Sequence, residues 1–345
     1  VPDAARSDAS LLALPKAELH FHLEGSIEPP TAVELAARHG VRITAQEVAE
    51  RYAPGDFSQF IEAFKWVTSF LRDPADYALV MERAAQSLAQ QNILYSEITL
   101  SAGVMLLRKQ DPAANLHAIR DAARKIPSLR CVYIFDCVRQ FGPAAAMEVA
   151  RHAATLRGED VVAFGMGGDE LSLPASEFRP AYDFAAAVGL HRLVHAGETG
   201  DPQSIVDAIE VLGAERIGHG IAAMRSERLI DSLAKSGVPL EICPTSNLRT
   251  GALARQLRQS AASEADHPLA MFLRRGVRVT LGSDDPAMFE TSLTAEYQLA
   301  QRIGVTPQEL VRLARSGFEC AFLDPPARQE LLAAFESGRN AAGLL

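Results

Sequence analysis

The sequence has little of what several large functional classes require. Its 345 residues include four cysteines, Cys131, Cys137, Cys243 and Cys320. They are too sparse for a disulfide framework or a Cys-x-x-Cys zinc site. They read as buried thiols in a reducing, cytoplasmic compartment. No run approaches the ~18 consecutive apolar residues of a membrane span. Residues 1–16 lack a basic stretch followed by an apolar one and a cleavage site, so no export signal is expected. Positive charge is in the minority, with 34 Lys and Arg against 43 Asp and Glu and a net charge of −9. Such a chain has no field to hold a nucleic acid or an anionic membrane, which leaves a small-molecule partner. A G-x-S-x-G nucleophile and a Walker loop are absent too.

What is present is the composition of a globular protein, 48% hydrophobic and 22% charged. Eight short apolar runs read as strands: Ala17–His22, Tyr95–Ser101, Arg130–Cys137, Val161–Gly167, His191–Gly197, Arg216–Gly220, Pro239–Pro244 and Arg278–Asp284. Helical patterns lie between them, including Pro143–Leu156, Pro202–Leu212, Glu227–Ser236 and His267–Arg275. Eight strand–helix repeats predict an α/β fold, a (β/α)8 TIM barrel, as one domain over residues 1–345. The alternative is an open doubly wound sheet, whose Gly-rich phosphate turn is missing from His20–Gly25. Residues 31–91 form a helical insertion after the first strand, and Leu293–Leu345 adds C-terminal helices. Within the insertion, Phe57, Phe60, Ile61, Phe64, Val67 and Phe70 recur at helical spacing. Two readings stand open for them: packing on the barrel, or a lid over its mouth.

Nine histidines are available. His39, His117 and His152 fall in helical patterns. His191 opens a strand, at the stability face of a barrel, and His267 reads as a helix entry. The other four, His20, His22, His195 and His219, sit at C-terminal strand ends, where this fold builds active sites. His20 and His22 are two apart on a strand and point to one side. With His195 they give three nitrogen donors, and Asp284 adds a carboxylate. That set suits zinc with a position left for water. The pair Asp284-Asp285 before Pro286 also reads as an ordinary turn or cap. Val161–Gly168 contains no Lys to form a bridging carbamate, so one metal per chain is expected. Glu198 lies just past the strand that carries His195. A carboxyl there can be desolvated and shuttle protons, or simply sit in a first helical turn.

Taken together, six motifs resemble the adenosine deaminase family of the amidohydrolase superfamily. They are His20-Phe-His-Leu-Glu-Gly-Ser26, Gly165-Met-Gly-Gly-Asp-Glu170, His195-Ala-Gly-Glu198, Arg216-Ile-Gly-His-Gly220, Cys243-Pro-Thr-Ser-Asn247 and Ser283-Asp-Asp-Pro286. The resemblance runs over residues 14–335. It implies zinc on His20, His22, His195 and Asp284, with Glu198 protonating purine nitrogen 1 and His219 orienting the attacking hydroxide. It further implies that Asp285 meets nitrogen 7, the Gly168 backbone meets nitrogen 3, and Glu24 lies on the 5′ side of the substrate. The activity implied is hydrolytic removal of the 6-amino group of adenosine or an adenosine-like nucleoside, such as 6-amino-6-deoxyfutalosine, with release of ammonia. Glu24 stands where animal-type members have Asp, and Gly165 where many have Asp. Adenine deamination is the alternative. A non-catalytic nucleoside-binding barrel and a zinc hydrolase of another amide or ester are the remaining readings. The base deaminases of nucleic acids are excluded, since their P-C-x-x-C motif is absent. Nothing in the sequence indicates an oligomeric state.

Overall fold

Short apolar runs become strands of a parallel sheet when both faces are covered. A computed structural model describes residues 4–53 and 55–342. Its strands are β1 Lys16–His22, β2 Ile93–Leu100, β3 Arg130–Val138, β4 Val161–Gly167, β5 His191–Ala196, β6 Arg216–His219, β7 Leu240–Ile242 and β8 Val279–Leu281. They pair in parallel and in sequence order. A bridge from Phe21 to Asp284 returns the end of β8 to β1. There the Asp284 N–H donates to His20 O at 2.8 Å, and the His22 N–H to Asp284 O at 2.9 Å. The result is the expected (β/α)8 barrel.

The last two strands are shorter than the apolar runs suggest. Pro244 cannot donate to a ladder and instead opens the helix Pro244–Arg249. Beyond Leu281 the chain leaves the ladder, and Asp284 takes a left-handed conformation at φ 62°.

The insertion contributes helices Pro29–Arg38, Ala45–Arg51, Phe57–Thr68 and Pro74–Gln90. Phe57–Thr68 begins at a reciprocal cap between Asp56 and Gln59. Val67 and Phe70 are buried in the main core, while Phe57, Phe60, Ile61 and Phe64 line a cavity at the barrel mouth. One segment therefore packs on the barrel and also lines the cavity. After β8 come Leu293–Arg302, Pro307–Cys320 and Pro325–Ala342. Cys137, Cys243 and Cys320 are buried, Cys131 is half-buried, and all four are free. No helix among the described residues is long and apolar enough to cross a membrane. The stretch 1–16, read above for an export pattern, lies partly outside the described residues.

Deep in the barrel the Arg216 guanidinium is enclosed. It donates to Glu241 Oε1 at 2.5 Å, to Cys320 O at 2.8 Å and to both oxygens of Glu97. Its plane lies over Phe322 at 3.6 Å. Tyr95 Oη and the Phe322 N–H also donate to Glu97. His191, at the start of β5, stacks on Phe322 with ring centroids 4.2 Å apart, a structural place as expected.

Candidate active site

The cavity occupies about 830 Å³, its open mouth included. Strand ends supply its polar wall: His22 from β1, Asp136 from β3, Gly167 and Gly168 from β4, His195 and Glu198 from β5, His219 from β6 and Asp284-Asp285 after β8. Phe57, Phe60, Phe64 and Phe141, with Val104 and Val138, supply the apolar wall.

His20 stands at the centre of an imidazole cluster. Its ring centroid is 5.2 Å from that of His22, 4.7 Å from His195 and 5.0 Å from His219. Its Nδ1 meets Glu241 Oε2 at 2.7 Å, which leaves Nε2 facing Asp284 Oδ1 at 3.5 Å. His22 Nδ1 lies 2.8 Å from Asp284 Oδ1. His195 is held from behind, its Nδ1 donating to Met166 O at 3.1 Å. Metal-binding histidines are oriented in this way through their second nitrogen. Donor atoms of His20, His22 and Asp284 converge, as do those of His20, His195 and His219. This buried cluster can hold a metal ion. Cys243 also reaches the group of His219 and Asp284, but burial pushes its thiol well up and keeps it protonated. His219 and Asp284 both have positive φ, at 62°. Such conformations cost about 1–3 kcal/mol each and gather at functional sites.

Glu198 is buried beside these groups. Burial first, then the charges of Asp284 and Glu170, raise its pKa well above the usual carboxylate range. Both causes favour the protonated form of this carboxyl over the charged one. Burial likewise lowers the His219 pKa to about 3, so that imidazole is neutral. Its tautomer follows from a chain of hydrogen bonds. The Leu269 N–H donates to His267 Nδ1 at 3.2 Å, so His267 carries its proton on Nε2. That proton points at Asn247 Oδ1, 3.4 Å away. The Asn247 amide is thereby oriented with Nδ2 donating to His219 Nδ1 at 3.1 Å. The His219 proton therefore sits on Nε2, which lies 3.7 Å from Glu198 Oε2 and 3.8 Å from Asp284 Oδ2.

Of the residues singled out from the sequence, His20 and Glu24 are the two that do not line the cavity. His20 is buried within the cluster. Glu24 is buried with Oε1 accepting the Ser101 N–H at 2.9 Å and Oε2 unpaired. Sequence reasoning missed Asp136, whose Oδ1 is buried and unpaired. A Cβ at Gly165 would come within 2.5 Å of that atom, so the glycine makes room for Asp136. An acid inside the apolar run Tyr133–Val138 was the available signal. Asn247, Glu241 and Glu170 were also missed as supporting groups.

This chain resembles known proteins over nearly all of its length. The profile described as adenosine deaminase matches residues 15–337. An aminodeoxyfutalosine deaminase from Streptomyces coelicolor is 39% identical over 342 residues, covering 96% of this chain and 86% of the relative. An adenine deaminase from Rhizobium meliloti is 37% identical over 325 residues, covering 93% and 98%. The crystal structure of an adenine deaminase from Arthrobacter aurescens superposes with a TM-score of 0.86 at 27% identity, covering 94% of this chain and 98% of that one.

Proposed function

We propose that this chain, which belongs to the adenosine deaminase family and is a deaminating hydrolase of that family, removes the 6-amino group of an adenosine-like nucleoside extended on its 5′ side, such as 6-amino-6-deoxyfutalosine. The observation that carries the proposal is the meeting, at one cavity, of a buried His/Asp donor cluster and a buried Glu198 whose pKa is raised. Family membership removes the non-catalytic barrel from consideration.

The donor set fits a cation. His20 Nε2 is buried without a hydrogen-bond partner among the described residues, His22 Nδ1 lies beside Asp284 Oδ1, and His20 and His195 are anchored through their other nitrogens. Three imidazoles and one carboxylate suit a single zinc, which His20, His22, His195 and Asp284 would hold. Bound there, zinc supplies a Lewis acid that makes hydroxide available near neutral pH. The rest falls to the chain. Glu198 gives its proton to ring nitrogen 1, which draws electron density from carbon 6. His219, with its proton on Nε2, donates to the oxygen that adds there. Asp285, its carboxyl pushed up to about 7 mainly by burial, hydrogen-bonds nitrogen 7, and the Gly168 backbone meets nitrogen 3. Glu24 is assigned to the sugar side, where it holds the Ser101 N–H of the cavity wall. Water enters at carbon 6 and ammonia leaves.

The 5′ extension is supported by the aromatic wall, which a free base does not need, and by the Streptomyces coelicolor relative. The Rhizobium meliloti relative favours adenine as the second reading. The test is kcat/KM for adenine, adenosine and 6-amino-6-deoxyfutalosine under one condition. The extended nucleoside should be best by tenfold or more, equivalent to ~1.4 kcal/mol of transition-state binding. Adenine as the best substrate would make the enzyme an adenine deaminase. Adenosine as the best would remove the extension.

A further inference from the structure

We propose that Glu170 is a positioning residue that sets the place of Glu198 by clamping the backbone that carries it; this rests on Glu198 being the acid. After β5 the chain turns at Gly197, φ 68°, and leaves the ladder. Four successive N–H groups, residues 197–200, then lack strand partners. Buried N–H groups without acceptors are costly, so something must receive them.

Glu170, from the loop after β4, receives all four. Its Oε1 accepts the Gly197 N–H at 2.5 Å. Its Oε2 accepts those of Glu198, Thr199 and Gly200 at 3.2, 2.9 and 2.7 Å, and Thr199 Oγ1 at 3.4 Å. Consecutive N–H groups that converge in this way form an anion nest. Here the anion is a side chain of the same molecule. The approach depends on Gly200, where a Cβ would fall 2.4 Å from Glu170 Oε1. The carbonyl side is held as well. Gln256 Nε2 donates to Glu198 O at 2.7 Å and to Gly200 O at 2.8 Å. Both clamps are buried, and neither lines the cavity. The Glu198 backbone is thereby fixed from both sides, and its side chain retains only its own torsions.

The test is a double-mutant cycle of Glu170→Gln and Glu198→Gln, with metal content and Tm measured on each variant. The amide turns an NH2 toward a nest of donors, so the clamp opens. Because misplacement by about 1 Å costs roughly a hundredfold, kcat of Glu170→Gln should fall about a hundredfold, with KM and metal content near wild type. With Glu198→Gln already present, Glu170→Gln should change the residual rate by less than about twofold, because the group it positions is gone. An equal loss in both backgrounds would overturn the proposal and make Glu170 merely structural. A Glu198→Gln protein that kept more than about a tenth of wild-type turnover would overturn the acid assignment itself, and the proposal with it. If Glu170→Gln does not fold, Gln256→Ala runs the same cycle from the other clamp. Its expected loss is about tenfold in the wild-type background and none with Glu198→Gln. No kcat effect, or an equal one in both backgrounds, would again overturn the proposal.

Discussion

The barrel encloses two buried polar clusters that differ in one respect. In the deeper one, Arg216, Glu97, Glu241 and Tyr95 answer one another's hydrogen bonds, helped by Cys320 O and the Phe322 N–H. At the mouth, His20 Nε2, Asp136 Oδ1 and Asp285 Oδ1 are buried without hydrogen-bond partners among the described residues, as is Glu24 Oε2 away from the cavity lining. Buried polar groups are normally paired, and the exceptions call for a reason. A charge inside a barrel is therefore not by itself a functional signal. The deep cluster is complete and structural. The mouth is incomplete, and a ligand or cation would complete it. Glu241 belongs to both, with one oxygen on Arg216 and the other on His20.

The comparison can be broken most severely from the deep side. Glu97→Leu takes from Arg216 one of its two carboxylates, and from Tyr95 Oη and the Phe322 N–H their acceptor. Breaking a buried pair in this way costs about 3–5 kcal/mol. Chemical denaturation should report that loss, with kcat little changed in the protein that remains folded.

Glu241→Gln tests the residue that joins the two clusters. It weakens the hold on His20 and on Arg216 together. Metal affinity should fall ~10–100-fold, the usual effect of disturbing a ligand's hydrogen-bond partner. Titration with zinc against a competing chelator would measure it. Unchanged affinity would separate the clusters entirely.

A smaller effect is expected from Asn247→Leu. It frees His219 to take the other tautomer, and turnover should drop about tenfold or more, as for loss of one proton-handling group. Metal content should hold.

A pH dependence is expected far from the mouth. The Lys16 amine caps the carbonyls of Leu11, Leu12 and Leu14 at 2.8, 3.3 and 2.7 Å. Burial lowers its pKa from 10.5 to about 7. Between those values the folded protein binds fewer protons than the unfolded chain. Stability from this group therefore rises with pH across that window. Lys16→Met should flatten the rise in a denaturation series run from pH 7 to pH 10.5.

Much of the barrel was legible because its signal is local. Strand alternation and strand-end histidines are written in consecutive residues, and the fold places strand ends together. The helix Phe57–Thr68 was legible as amphipathic but not as to what each face meets, which depends on a wall made by β3 and the chain after it. The three-residue length of β7 and β8 was not legible, because Pro244 and the left-handed Asp284 act on pairing only once the barrel closes. Glu97 and Glu241 each sit in an apolar strand, so a partner was required, but Arg216 lies more than a hundred residues from Glu97. Glu170 lay within a recognised motif, yet its role appears only when the loop after β4 meets the turn after β5. Asp136 is the same kind of case: its unpaired Oδ1 shows only once β3 and β4 lie side by side.

The division between a finished deep cluster and an unfinished mouth is tested most directly by one variant, Glu198→Gln, with turnover and thermal unfolding measured on the same sample. The account predicts a rate loss of ~10²–10⁴-fold, as for removal of a general acid. It also predicts Tm and metal content at wild-type values, since the carboxyl is replaced by an amide of the same shape at a residue outside the donor cluster. A folded variant that still turned over near the wild-type rate, or one that lost Tm and metal along with its rate, would contradict it.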